Sequence, residues 1–304
     1  MNKLPNAIIV GIMRCGTTSL FRYLSAHPAV FTAAKKELNV FYDHYTSSEV
    51  IKEYGTYFKG YKGYEKIILE ASPNYMRKSD TIPKRIVELI PDAKLILMLR
   101  NPVDRIQSAY KAIKRSGTID DSTSFECYIE NMLEDKPDLS MFNSSDDLEE
   151  LSTEIERGLY SNLLANVIAS VPRDQIYVTF TENIAAFPAG EMERICGFLN
   201  LDPIFYKSFQ YQVENPTINA KWPKIYRFAL KCNAMLEPAL SKMPHVRSNI
   251  RDIHHSLNKS KSENKFSDKV VCLLDAYYEN DRKNLVELIN QVCSSPLPKW
   301  LKGS

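Results

Sequence analysis

The stretch AIIVGIMRCGTTSL, residues 7–20, decides the fold. Ala7 to Gly11 is a short apolar run that reads as a buried strand. The residues after it have the outline of a phosphate loop. The Walker pattern is Gly, four residues, Gly, Lys, then Ser or Thr. Gly11 and Gly16 keep that spacing and Thr18 fills the hydroxyl position, but Thr17 stands where the lysine belongs. In nucleoside triphosphatases the lysine reaches the β- and γ-phosphates. A glycine-rich turn between strand and helix still aims backbone N–H groups at one spot, and the helix dipole favours an anion there. Thr17, Thr18 and Ser19 add hydroxyl donors. The reading is a site for a short 5′-phosphate, with no triphosphate chemistry and no strand-end aspartate of the Walker B kind.

Outward from this loop, apolar runs alternate with amphipathic stretches, the mark of a parallel sheet flanked by helices. TSLFRYLSAHP reads as the first helix, Lys66 to Pro73 as a strand, DTIPKRIVELIP as a helix and Ala93 to Arg100 as the strongest strand. NPVDRIQSAYKAIKRSG reads as a helix with Pro102 at its first position, Lys114 and Arg115 in its last turn, and Gly117 ending it. GLYSNLLANVIASV, QIYVTFT and GEMERICGFLNL repeat the helix, strand, helix order, and a long helix opens at Ser267 as N-cap. The expected fold is a P-loop-like three-layer αβα arrangement around a central parallel sheet. One domain is expected over 1–304: a core at 5–118 and 157–205, acceptor-side insertions at 119–156 and 206–262, and a C-terminal helix at 267–292.

The chain of 304 residues is 44% hydrophobic and 25% charged with a net charge of +2, too nearly neutral for a nucleic-acid binder. No apolar run approaches the ~18 residues of a membrane span. The N-terminus enters a strand directly, without room for a signal peptide. The six cysteines (Cys15, Cys127, Cys196, Cys232, Cys272, Cys293) lie scattered without a CxxC pair, which disfavours zinc and fits reduced thiols in a cytoplasmic protein.

A second constellation lies in LMLRNPVDRIQSAY. Arg100 leaves a strand's carboxyl end, where ligands sit in open α/β sheets. Ser108 comes about two helical turns later. An Arg fork and a Ser hydroxyl can grip a phosphate through charge-assisted bonds. GIMRCGTTSL and LRNPVDRIQSAY, in this order and spacing, resemble the 5′-phosphosulfate loop and the 3′-phosphate motif of the PAPS-dependent sulfotransferases. KKELNVFYDHY, LEASPNYM, RGLYSNLL and ENIAAFPAGEMERICGFLNL are similar to further segments of that family, closest to its bacterial and heparan-sulfate type.

That resemblance implies 3′-phosphoadenosine 5′-phosphosulfate (PAPS) as donor, 3′-phosphoadenosine 5′-phosphate (PAP) as product, and no metal. The loop residues Arg14, Cys15, Gly16, Thr17, Thr18 and Ser19 would hold the 5′-phosphosulfate, and Arg100 and Ser108 the 3′-phosphate. Glu37 falls on the glutamate that serves as general base, a role a carboxylate can fill by taking the acceptor hydroxyl's proton. Arg14 stands where the family usually has lysine, and keeps the charge beside the leaving phosphate oxygen. Ala71 replaces a lysine of the heparan type. Lys35 or Lys36 either supplies that cation or is simply solvated, and NAKWPK, with Lys221, is a poor match to the family's late cofactor loop.

Other residues stay open. His44 is an alternative base or a packing histidine. Lys36 is a candidate substrate contact. Glu70 either orients substrate or a loop lysine, or closes an ion pair at the sheet's edge. Tyr160 either lines the cofactor pocket or packs, and Cys15 reads as a small packing residue. Phe41, Tyr42, Tyr45, Tyr54, Tyr57 and Phe58 form an acceptor wall or fill the core. His254 and His255 lack a third ligand for a metal. The expected activity is sulfuryl transfer to an acceptor hydroxyl of a saccharide or small natural product. The rivals are a kinase-like nucleotide phosphotransferase and a nucleotide-binding regulatory module without turnover.

Overall fold

Among the described residues the four expected strands form and two short ones join them: β1 (Ala7–Gly11), β2 (Val30–Thr32), β3 (Ile67–Ala71), β4 (Lys94–Leu99), β5 (Ile176–Phe180) and β6 (Cys293–Ser294), of which β2 and β6 are the additions. They form one sheet in the order β2-β3-β1-β4-β5-β6, and every neighbouring pair is parallel. All five residues of β1, β3 and β5 are buried. A parallel sheet covered on both faces needs uninterrupted apolar strands, which explains why these runs carry no alternation. The computed structural model describes residues 3–43, 46–134, 136–143, 151, 153–212 and 266–302.

The described helices are α1 (Thr17–Ser25), α2 (Val40–Asp43), α3 (Ser47–Tyr57), α4 (Ile82–Leu89), α5 (Pro102–Ser116), α6 (Phe125–Met132), α7 (Tyr160–Ser170), α8 (Thr181–Ala186), α9 (Pro188–Leu199) and α10 (Asp268–Ile289). The expected strand from Lys66 to Pro73 is shorter, because Pro73 opens a 3-10 turn running to Lys78. Thr181, expected to end β5, instead starts α8. Gly117 comes directly after α5 at φ 80°, the left-handed conformation that glycine adopts without a Cβ clash. The Ser267 hydroxyl accepts from Val270 N–H at 3.5 Å, as expected of the residue before α10.

The chain groups into two compact units. The first comprises Met1–Arg105, Arg157–Glu214 and Tyr277–Ser304, and contains the whole sheet. The second comprises Ile106–Glu156 and Asn215–Ala276. In the second, Phe125 packs between Tyr110 and Phe266 at centroid distances of 5.2 and 4.3 Å. Lys269 pairs there with Glu130 at 2.9 Å.

Candidate active site

From β1 the chain departs toward β2 and β3, whereas from β4 it departs toward β5. The two connections diverge at the strands' carboxyl ends, and such a switch point is where open α/β sheets bind ligands. The loop after β1 and Arg100 after β4 both lie there.

The Ile12 N–H donates to the Met98 carbonyl at 2.9 Å and the Cys15 N–H to the Ile12 carbonyl at 3.2 Å, which closes the loop. Gly16, at φ 81°, precedes α1 and offers no side-chain cap. The Ser19 N–H turns back to the Gly16 carbonyl at 3.0 Å, so the donors at the head of α1 that point outward for another acceptor, as a phosphate cradle requires, are those of Thr17 and Thr18. A Cβ on Gly11 would lie 2.3 Å from Met76 Cγ, so glycine is what lets the segment after β3 approach the loop. Thr17 is buried, Thr18 and Ser19 half-buried, and Arg14 is exposed at φ 69°. A left-handed arginine costs roughly 1 kcal/mol or more, and such positions cluster at functional sites.

The Thr181 hydroxyl sits 2.6 Å from the Cys15 carbonyl oxygen and 3.1 Å from that of Leu99, tying the loop to β4. Arg100 donates through Nη1 to the Arg14 main-chain carbonyl at 3.4 Å, which ties its guanidinium to the loop backbone. The Asn101 N–H donates to Glu182 Oε1 at 2.8 Å, and Asn101 Oδ1 caps α5 by accepting from Val103 N–H at 2.9 Å. Ser108 lies on α5 in the second unit, half-buried.

Tyr160 is buried, and its hydroxyl donates to the Arg100 carbonyl at 2.9 Å while lying 3.9 Å from Cys15 Sγ. Burial pushes the Cys15 thiol up to about 12, which keeps it protonated at neutral pH and leaves it a packing group. Asp281 on α10 accepts from the Tyr160 and Ser161 N–H groups at 2.8 and 3.0 Å. It thereby caps α7, whose own preceding residue, Leu159, provides no cap. Nothing local in the sequence announces Asp281, Thr181 or Glu182 as supports of the site. Gly158, just ahead of α7, faces the buried Tyr278 ring: a Cβ there would lie 2.6–2.8 Å from three of its atoms. Gly158→Ala should therefore cost about 1–3 kcal/mol in urea unfolding. A loss under about 0.5 kcal/mol would mean that the ring shifts freely.

Glu37 sits beside the carboxyl end of β3, where its N–H donates to the Ala71 carbonyl at 3.0 Å. Its side chain is exposed and takes a 2.6 Å bond from Lys36 Nζ. Glu37 and Asn39 both adopt positive φ, 63° and 55°. Ala71 is buried, and Lys35 is exposed. Glu70 is 2% exposed and receives hydroxyl protons from Ser72 at 2.5 Å, Tyr75 at 2.8 Å and Tyr54. Burial nonetheless raises its carboxyl above the usual range. Phe41, Tyr54 and Phe58 are buried in the core, with Tyr54 stacked on Phe58 at 5.4 Å, whereas Tyr42 and Tyr57 are half-buried. Arg77 is a further cation that no sequence motif points to, and it brings Nη2 within 3.6 Å of Met13 Sδ in the loop. His44, Tyr45, Lys221, Cys232, His254 and His255 lie outside the described residues. Among the described residues no group of three His, Cys, Asp or Glu is arranged to hold a metal, and no helix is long and apolar enough to cross a membrane.

The parallel sheet and the loop at its switch point define an α/β protein of the P-loop-like class. The sulfotransferase domain family matches residues 4–286, and the chain belongs to that family. Over 98% of each chain it superposes on the crystal structure of a sulfotransferase from Alicyclobacillus acidocaldarius, with a TM-score of 0.64 and 22% identity. It is 41% identical to a membrane-associated sulfotransferase of Dictyostelium discoideum over 35% of this chain and 22% of that one. It is 29% identical to the mouse heparan sulfate glucosamine 3-O-sulfotransferase 3B1 over 66% of this chain and 47% of that one. A Drosophila melanogaster bifunctional heparan sulfate N-deacetylase/N-sulfotransferase matches at 22% identity over 99% of this chain and 27% of its own length. The chain thus spans about a fifth to a half of the length of these curated relatives.

Proposed function

We propose that this sulfotransferase moves a sulfuryl group from PAPS to an acceptor hydroxyl on a saccharide or small natural product, with Glu37 as base. The observation that carries the reading is the uncapped, left-handed Gly16 at the head of α1, with the Arg100 guanidinium bonded to the Arg14 main-chain carbonyl beside it. PAPS supplies the sulfuryl group on a phosphate leaving oxygen. The N–H groups of Thr17 and Thr18 and the hydroxyls of Thr17, Thr18 and Ser19 would bind the 5′-phosphosulfate. Arg14 would sit beside the oxygen that gains charge. Arg100 would hold the 3′-phosphate, joined by Ser108 on the strength of the family motif. Tyr160 and Asp281 would serve by keeping the Arg100 backbone in place. Glu37, exposed at the end of β3, would take the acceptor proton, and Lys36 would orient its carboxylate.

A thermal-shift panel tests the donor. A hundredfold excess of PAP over its Kd should stabilise the fold by about 2.7 kcal/mol, with little effect from ATP and Mg²⁺. Stabilisation by ATP and Mg²⁺ alone would overturn the assignment in favour of phosphoryl transfer. Binding of PAP without turnover across a panel of acceptors would favour a regulatory module. For the 3′-phosphate, Arg100→Ala should weaken PAP by roughly ten- to a hundredfold, the worth of a charge-assisted hydrogen bond, and leave adenosine 5′-phosphate nearly unchanged. Equal weakening of both nucleotides would move Arg100 away from that phosphate.

A further inference from the structure

The turn carrying Glu37 is held by hydroxyls that are themselves held by a buried carboxylate. The Asn39 N–H donates to Ser72 Oγ at 3.0 Å and the Phe41 N–H donates to the Tyr75 hydroxyl at 3.2 Å. Each hydroxyl has one proton, and both protons go to Glu70 Oε1, at 2.5 Å from Ser72 and 2.8 Å from Tyr75. Because a carboxylate only accepts, it orients both hydroxyls with their lone pairs toward the turn. The Tyr54 hydroxyl occupies the other oxygen, Glu70 Oε2. The turn needs such support, because Glu37 and Asn39 both sit in the left-handed region that side chains disfavour. Its third N–H tie, Glu37 to the Ala71 carbonyl, falls on the residue next to Glu70, and at the far end the Phe41 carbonyl accepts from Arg85 Nη1 at 2.8 Å.

We propose that Glu70 is a positioning residue for sulfuryl transfer. It acts through Ser72 and Tyr75 to fix the 37–41 turn and thereby aim the Glu37 carboxylate. The proposal rests on Glu37 being the base. Glu70 has no surface from which to touch an acceptor, yet it orients the acceptors of two of the turn's three described N–H ties.

Two measurements on the full chain test this. The first is hydrogen exchange across residues 37–41. Wild type should protect the Asn39 and Phe41 amides, and Glu70→Met, similar in length but without acceptors, should release them while β3 stays protected. If Glu70→Met does not fold, Ser72→Ala and Tyr75→Phe each remove a single relay and should release Asn39 and Phe41 respectively. Unchanged exchange in both would overturn the proposal.

The second is a kinetic cycle with Glu37→Gln. Alone, Tyr75→Phe should lower kcat by roughly tenfold or more, the expected cost of a misplaced catalytic group, with PAP affinity unchanged. In the Glu37→Gln background it should cost less than about twofold, because the group it aims is already gone. The same loss in both backgrounds would show a general structural role and overturn the proposal. Full turnover by Glu37→Gln alone would instead sink the base assignment and, with it, the aiming role, while the exchange data would still report whether Glu70 holds the turn. Glu70→Gln keeps a carbonyl oxygen on the relay side and should restore most of the activity lost in Glu70→Met.

Discussion

Glu37→Gln is expected to bind PAP as wild type does and to lose roughly 10²–10⁴-fold in kcat, the usual worth of a positioned general base. The substitution is nearly isosteric and the side chain is exposed, so it creates no cavity and no buried unpaired group. It also leaves the backbone tie to Ala71 intact. Loss of turnover with an unchanged fold would therefore trace to the proton acceptor alone. The Lys36 ammonium, 2.6 Å from Oε1, gives a second arm. Lys36→Met removes the partner that orients the carboxylate and should lower kcat far less than Glu37→Gln does, because a half-exposed ion pair is worth little. Single-turnover kinetics with radiolabelled PAPS separates the two. A Glu37→Gln enzyme that turns over normally would pass the base role to another group, His44 first.

Much of this site can be read from the residues in order, and the reasons are physical. A parallel sheet buried on both faces demands the apolar runs of β1, β3, β4 and β5, so these strands stand out. The loop is equally plain, because Gly11 and Gly16 answer steric needs at fixed spacing. Strand β2 has three residues and β6 two, and they exist as strands only through register with β3 and β5. No local pattern could announce them. Helix α3 does carry a local signal, since Thr46 and Glu49 form a capping box in TSSE. The aromatics of this helix and its end suit an acceptor wall by type, yet Tyr54 and Phe58 turn inward. The supports of the site are hidden for a different reason. Asp281 meets Tyr160 across 121 residues, and Thr181 meets Cys15 across 166. Such pairings depend on the assembled sheet, not on spacing.

The arginine in the loop carries the second large effect. Arg14→Asn should lower kcat by about 10²–10³-fold, the loss seen when a preorganised donor to a developing charge is removed. Asparagine is the informative replacement because Arg14 has φ 69°, and asparagine tolerates the left-handed region better than alanine does. The backbone of the loop is then kept, including the carbonyl that receives Arg100 Nη1. If Arg14 acts on charge that appears at the leaving oxygen as the sulfuryl group departs, its removal must hurt kcat more than PAP affinity. An equal fall in both would make it a ground-state phosphate contact instead. Arg14→Lys sharpens the test. A lysine restores the charge as a compact point on a flexible stem but not the planar fork. If charge alone matters, Arg14→Lys should recover to within about tenfold of wild type. If the fork must span two oxygens, Arg14→Lys should stay close to Arg14→Asn. The exposed position favours the first outcome, because an ammonium keeps its hydration there.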